Sequence, residues 1–383
     1  MYGGLEMYEP IPGNVLYQSL KDKNAIIMAA NARVTTGVAE GIFRAAKSMD
    51  SAIIFEIARS ESNLEKGYTG LSPADYSAHM RRAAEKVGFD MWVLHADHIT
   101  VKKGTPDDIE GTKKLIDGQI DAGFTSFAID ASHLFNFQGG NLREELATNI
   151  DATTELAKHI KARMGNRPFG LEVEVGEIGR ADANGMVLTK PEEAVTFVRA
   201  LNENGIFPDL LATANGTQHG NVYDAQGNLI AKVGIDIPRT KAIAQALRDN
   251  KLDVRIAQHG ITGTPREWIK TLFPKGDVIK GNVATFWQNL YLDTLKVCHP
   301  DLYKSIWDWT INKYKEKNPG KKDNEIFGKN VKNALKVFYD QIYGVPQETL
   351  DTIEALTYGE ARVFLNAFNS AGTASIVRKS LKR

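Results

Sequence analysis

Three ionisable residues close an apolar run at residues 92–100, WVLHADHIT: His95, Asp97 and His98. Imidazoles with a carboxylate at such spacing can hold a divalent metal or move a proton. The same residue types recur downstream. His219 stands in QHGN (218–221) and His259 in HGITGT (259–264), each followed directly by glycine. Glu172 and Glu174 lie two apart in FGLEVEVG (169–176), so a strand puts both on one face. A single histidine at a strand end is as readily a cap that bonds a backbone carbonyl. Three of them at one place, His98, His219 and His259, suit a borderline metal such as zinc, with one position left for substrate. Glycine beside a histidine lets backbone approach a ligand, and consecutive N–H groups can cradle an anion. Together with GNVAT (281–285), these glycine turns point to a phosphorylated substrate.

Side chains so far apart in sequence converge only if the chain keeps returning its strand ends to one place. Short apolar, β-branched runs recur at 25–31, 51–58, 91–98, 126–132, 169–176, 209–216, 253–260 and 277–284. Most are nearly continuous rather than alternating, as parallel strands covered on both faces are. Amphipathic segments separate them, clearest at 37–48, 108–123 and 143–164. Another, KPEEAVTFVRALNENG (190–205), opens on proline and acids and ends at glycine, as helices do. Strand and helix alternate eight times, which predicts an α/β fold of the (β/α)8, TIM-barrel type. The rival doubly wound sheet needs a glycine-rich first turn that is not found here. Barrels of this type gather their chemistry at the C-terminal ends of the strands. Those ends carry Asn31, Ala58, Asp97 with His98, Asp130, Glu172 with Glu174, Asn215 with His219, His259 and Asn282. Of eight histidines, His95, His98, His219 and His259 fall there. His133 is expected to be structural, and His79, His159 and His299 to lie at the surface.

Beyond about residue 298 the strands stop. Helical stretches follow at 301–317, 326–344 and near 359–381, with the polar breaker NPGKKDN at 318–324. The expected division is a catalytic barrel over 1–298 and a helical extension over 299–383, packed on the barrel or on a partner subunit. Lys+Arg and Asp+Glu balance at 47 each, so overall charge favours neither nucleic acid nor an anionic membrane. No apolar run approaches the roughly 18–20 residues that a membrane helix needs. No leader peptide is evident, and the single cysteine, Cys298, cannot form an internal disulfide. A cytoplasmic protein is therefore expected.

Taken in order, these motifs resemble those of the class II, metal-dependent fructose-bisphosphate aldolases over nearly the whole chain. LHADH resembles the family's His-x-Asp-His, AIDASH its strand 4, EVEVG its strand 5 and GTQHG its strand 6. QHGITGT is similar to its phosphate turn and KGNVAT to its strand-8 Asn-x-x-Thr. YGEARVFL (358–365) resembles a Tyr-x-Pro-Arg-Val-Trp segment of the longer class IIA subtype. The resemblance implies that His98, His219 and His259 bind the metal, zinc or another divalent ion such as Co2+, Fe2+ or Mn2+. It implies Glu174 as a ligand in an alternative metal position and Asp97 as the proton donor to the aldehyde oxygen. Gly220, Gly260, Thr262 and Thr285 would hold the phosphate of dihydroxyacetone phosphate, and Asn31 and Asn282 would contact the triose. Arg362 would reach the other phosphate from the partner subunit of a homodimer or larger homo-oligomer. A monovalent cation, K+ or Na+, would sit near the phosphate. In the family's mobile loop a Gly-Gly-Glu stretch handles the proton on the triose carbon. Here that loop reads GEIGRADANG (176–185), with Asp182 about where the glutamate belongs and Glu177 as the other carboxylate. The phosphate turn carries Ile261 for a glycine and Thr262 for serine, and strand 2 ends on Ala58, Arg59 and Ser60 where the family has serine. Ala284 stands where class IIA members have aspartate, which is closer to the tagatose-bisphosphate branch.

The expected reaction is reversible cleavage of fructose 1,6-bisphosphate to dihydroxyacetone phosphate and glyceraldehyde 3-phosphate. Cleaving the bond beside a carbonyl leaves an ene-diolate, whose charge a Lewis-acidic metal stabilises. Another phosphorylated ketose, such as tagatose 1,6-bisphosphate, is the nearest alternative. A barrel metallohydrolase and a non-catalytic sugar-phosphate binder are the more distant ones. A Schiff-base aldolase would need an uncharged lysine, for which Lys280, Lys102 and Lys103 are the candidates.

Overall fold

The computed structural model describes residues 8–176, 181–182, 185–216, 222–224, 227, 229–230 and 234–382. Eight parallel strands close into a barrel in sequence order: β1 (Ile27–Ala30), β2 (Ile53–Ala58), β3 (Trp92–Thr100), β4 (Ser126–Asp130), β5 (Gly170–Val175), β6 (Leu210–Thr213), β7 (Arg255–Gln258) and β8 (Val278–Val283). The ring shuts where Ala29 of β1 pairs Asn282 of β8. The strands are buried nearly throughout, because helices cover the outside and side chains fill the inside. Helices alternate with them: α2 (Val38–Ser48), α3 (Pro73–Val87), α4 (Pro106–Asp121), α5 (Leu142–Met164), α6 (Pro191–Glu203), α7 (Ile237–Asp249), α8 (Arg266–Leu272) and α9 (Thr285–Cys298). Local sequence starts several of them. Ser72 and Asp75 form a reciprocal capping box ahead of α3, and Thr105 and Asn141 cap α4 and α5 through their side chains.

An additional helix, α1 (Gly13–Leu20), precedes the barrel and was not evident from sequence periodicity. It covers the N-terminal end of the strands, where Tyr17 OH lies 3.0 Å from Ser126 Oγ. Gly13 permits that approach, since a Cβ there would stand 2.7 Å from Ser126 Cβ.

The C-terminal extension is α10 (Pro300–Tyr314), α11 (Asp323–Asn330), a 3-10 turn (Val331–Ala334), α12 (Tyr339–Tyr343), α13 (Gln347–Ala367) and α14 (Thr373–Leu381). Two expected helices are therefore divided. The 326–344 stretch breaks into three pieces. The final helix ends at Ala367 and restarts at Thr373, because Asn369 (φ 57°) and Gly372 (φ 78°) take the left-handed turn conformation. α13 lies on α2 of the barrel. Gly41 allows the contact, since a Cβ there would meet Glu354 O at 2.6 Å and Thr357 Cβ at 2.7 Å. Among the described residues no helix is long and apolar enough to cross a membrane.

Candidate active site

Neighbouring residues of a regular strand face opposite ways, so Asp97 and His98 could not ordinarily share a cavity. A β-bulge resolves this. Ala96 pairs Phe127, but the next pair is Ile99 with Ile129, so Asp97 and His98 together oppose Ala128. His98 takes a positive φ of 40°, an uncommon state for a non-glycine residue. Both side chains then line one cavity of about 580 Å³ at the C-terminal ends of the strands. His259, one residue past β7, lines it too, with its ring centroid 4.5 Å from that of His98. Ligand atoms of Asp97, His98 and His259 lie within 4.8 Å of one another, and so do those of His98, Asp130 and Glu174.

The inner faces of the strands hold these groups in layers. Glu172 and Glu174 alternate along β5, as do Lys280 and Asn282 along β8 and His95 and Asp97 along β3. The deeper layer is polar where barrels are usually packed with branched apolar residues. Lys280, fully buried, is 2.7 Å from Glu172, 3.0 Å from Glu56 and 3.5 Å from Asp97. Its ammonium also reaches His95 Nε2 at 3.1 Å, and His95 Nδ1 bonds Ser126 at 2.8 Å. Burial alone would push the Lys280 proton off, but Glu172, Glu56 and Asp97 outweigh it and hold the pKa well above the ordinary lysine value. A charged ammonium is no nucleophile, which argues against Lys280 as a Schiff-base lysine.

Glu172 in turn meets His259 Nε2 at 2.9 Å, a carboxylate contact of the kind that orients metal-binding imidazoles, while His259 Nδ1 lies 3.4 Å from Asn282 Nδ2. Gln258 and Asn215 hold the backbone around it. Their amides bond each other at 2.6 and 3.2 Å, and Gln258 Nε2 donates to His259 O at 2.8 Å. Asp130 and Glu174 stand 3.3 and 3.2 Å from His98 Nδ1. Burial opposes a charged His98, yet Asp97 and Glu174 raise its pKa well above the usual imidazole range. Burial and the Asp130 charge push Glu174 up to about 8. Burial works against an ionised Asp97, and His98, Lys280 and His259 more than offset it, holding Asp97 below the usual carboxylate range. The donor sets fit a divalent cation: imidazole nitrogens and carboxylate oxygens lie within 4.8 Å of one another in Asp97, His98 and His259, and again in His98, Asp130 and Glu174.

The other expected site residues divide as follows. Asn31, Gly260, Thr262, Asn282 and Thr285 line the same cavity. Gly260 adopts φ 67°, and Thr262 Oγ1 accepts the Ala284 N–H at 3.2 Å, tying the turn after β7 to the end of β8. Asn31 Nδ2 donates to Glu61 (2.5 Å), and Asn282 Nδ2 donates to Glu56 (3.1 Å). The Oδ1 atoms of both asparagines are buried and have no hydrogen-bond partner among the described residues. An unmatched buried acceptor costs roughly 1–3 kcal/mol, so these two call for a donor from water or from a ligand in the cavity. Arg362 does not line the cavity of its own chain; it lies on the exposed face of α13 and bonds Tyr358 OH at 2.8 Å. His219, Gly220 and Glu177 lie outside the described residues, and for Asp182 only the backbone is described, in a short antiparallel pairing with Gly185. His133, expected to be structural, lines the cavity as well.

Sequence reasoning passed over Glu56, Glu61 and Arg33, and saw Asp130 only as a strand end. Asp130 was legible as the carboxylate that ends the apolar run SFAID. Glu56 carried no signal beyond being a charge inside the apolar run IIFEIA. Glu61 and Arg33 sit in loops, where charge is unremarkable until a structure shows that it is buried.

A closed parallel barrel with histidines and carboxylates gathered at its strand ends is the architecture of a metal-dependent barrel enzyme. The chain belongs to the class-II fructose-bisphosphate aldolase family, whose profile, described as Fructose-bisphosphate aldolase class-II, matches residues 13–344. That family is metal-dependent. A fructose-bisphosphate aldolase of Giardia intestinalis is 26% identical over 232 residues, covering 60% of this chain and 58% of the relative. A 6-phospho-5-dehydro-2-deoxy-D-gluconate aldolase of Bacillus licheniformis is 27% identical over 188 residues, covering 48% of this chain and 54% of the relative. The matches thus span little more than half the length of these curated relatives. The crystal structure of a fructose-bisphosphate aldolase from Campylobacter jejuni superposes with a TM-score of 0.60 at 19% identity, over 96% of this chain and 97% of that one, and shares the fold.

Proposed function

We propose that the protein is a metal-dependent aldolase that reversibly cleaves fructose 1,6-bisphosphate to dihydroxyacetone phosphate and glyceraldehyde 3-phosphate. The observation that carries this reading is the bulge that turns Asp97 and His98 together into the cavity beside His259. This pairing puts a proton-transfer group next to imidazoles that could hold a metal. His98 and His259, with His219, would hold the metal, and Glu174 would serve an alternative position. When bound, the metal supplies a Lewis acid that stabilises negative charge developing beside the carbonyl.

The remaining work falls to the protein's own groups. Asp97 gives its proton to the aldehyde oxygen in condensation and takes it back in cleavage. Asp182, or Glu177 five residues before it, handles the proton on the triose carbon. Gly220, Gly260, Thr262 and Thr285 hold the phosphate of dihydroxyacetone phosphate, and the Oδ1 atoms of Asn31 and Asn282 accept from triose hydroxyls. Arg362 of the partner subunit in a homodimer would grip the second phosphate, since a guanidinium matches phosphate with paired hydrogen bonds.

A second reading keeps the chemistry and changes the ketose. It is favoured by Ala284 and by a relative named for a phosphorylated deoxygluconate. The test is a coupled assay of triose phosphate release from fructose 1,6-bisphosphate, tagatose 1,6-bisphosphate and fructose 1-phosphate. The proposal expects the highest kcat/KM with fructose 1,6-bisphosphate. A preference for the tagatose epimer would transfer the assignment to the second reading.

A further inference from the structure

The cavity has two electrostatic ends. Around His98 the fixed groups are acidic. Elsewhere its wall carries Arg33, Arg59, Lys102 and Lys332, with Glu61 and Asp108 as the carboxylates beside them. Arg33 is held rigidly: its Nε donates to Glu61 at 2.7 Å, and its side chain is 13% exposed. Its Nη1 lies 3.3 Å from both Thr285 Oγ1 and Gln288 Oε1. Glu61 is saturated, accepting also from Asn31 Nδ2, Tyr68 OH and the Ala58 N–H. Its charge is thus spent on holding Arg33 in place.

Lys332 comes from the 3-10 turn of the C-terminal extension, and its Nζ stands 5.5 Å from the centroid of the Tyr68 ring. Arg33 Cζ lies 5.9 Å from the same centroid. Lys332 forms no ion pair or hydrogen bond through its side chain among the described residues. Partial desolvation and the neighbouring Arg33 charge lower its pKa, with Glu61 opposing, although the side chain as a whole stays exposed at the rim. Four cations against two carboxylates leave this wall of the cavity net positive, which favours a bound anion.

We propose that Arg33 and Lys332, set on Tyr68 beside Thr285, form the cationic half of a phosphate subsite, completed by the turn at Gly260 and Thr262. The C-terminal extension thereby contributes a binding residue to the barrel mouth. Its identification with the substrate's own phosphate rests on the aldolase reading; its affinity for phosphate does not. The phosphate concerned is the one nearest Thr285, shared by ketose bisphosphates and ketose 1-phosphates.

The experiment is equilibrium binding of inorganic phosphate to the metal-loaded protein, followed by calorimetry, beside steady-state kinetics. Lys332→Met should weaken phosphate binding by roughly tenfold or more, as the loss of one charge-assisted contact does. It should raise KM for ketose bisphosphate and ketose 1-phosphate alike, and leave kcat and metal content near wild type. Lys332→Arg should recover most of the loss. Lys329→Met, which removes an exposed lysine paired with Glu325 at 2.9 Å, should change nothing. No phosphate binding by the wild type, or equal binding by Lys332→Met, would overturn the proposal. Phosphate binding that depends on Lys332 in a protein that cleaves no ketose phosphate would leave the subsite standing and remove the aldolase reading instead.

Discussion

Asp97 and His98 are adjacent in sequence, and the account gives them different work. On the proposed reading His98 is a metal ligand and Asp97 moves a proton. Ligand atoms of Asp97 come within 4.8 Å of those of His98 and His259, so the division can be tested directly. Alanine at His98, His219 or His259 should remove both bound metal and cleavage while the circular dichroism spectrum stays that of the folded barrel. Asp97→Ala should keep its metal by atomic absorption and lose roughly 10²–10⁴-fold in kcat, the usual range for an acid–base group. An Asp97→Ala protein purified without metal would make the aspartate a ligand. At this scale the sequence was informative because chemistry-bearing residue types are rare inside apolar runs. His98, His259 and Asp97 stood out for that reason. Their supports did not: Glu56 read as a stray charge and Lys280 as a Schiff-base candidate, and only the ring of contacts at 2.7 to 3.5 Å shows how they brace the site.

Between elements, the loops after β1 and β2 are joined through Glu61, which binds Arg33, Asn31, Tyr68 and the Ala58 N–H at once. Burial alone would raise its carboxyl, but Arg33 and these hydrogen bonds outweigh it and hold the value below the ordinary 4.5. A depressed folded-state pKa contributes stability that is fully present above the unfolded value. That contribution is lost as pH falls through the folded one. Urea midpoints should therefore hold steady above about pH 5 on this account and decline as acid carries the solution below 4.5. Glu61→Gln should be less stable at neutral pH by about 3–5 kcal/mol, since it leaves the Arg33 charge buried without its partner. Its stability should also fall less steeply in acid than that of the wild type. Parallel acid curves for the two proteins would remove Glu61 from the explanation. Strand order and strand positions were legible from continuous apolar runs. The bulge in β3 was not, because a register shift is a property of two strands and sequence shows one. The broken helices of the extension were missed for a related reason: SAG at 370–372 carries turn chemistry, but the apolar periodicity runs through it.

At the scale of the whole molecule, the barrel and the extension share one cavity. α13 is seated on α2 through Gly41, and the turn before α12 brings Lys332 to the strand ends. A split at residue 298 describes where the strands stop, while the lining of the cavity crosses it. The overall charge balance of 47 against 47 hides a local separation, acidic around His98 and basic around Lys332, that a phosphorylated substrate bound to a metal would match. The central claim is that cleavage depends on a metal held by this site. The most direct measurement is triose phosphate release from fructose 1,6-bisphosphate by protein stripped with chelator, then reloaded with zinc. The account predicts loss of activity on stripping, its return on reloading, and no covalent trapping of substrate by borohydride. Full activity in the stripped protein, or substrate trapped on a lysine, would contradict it.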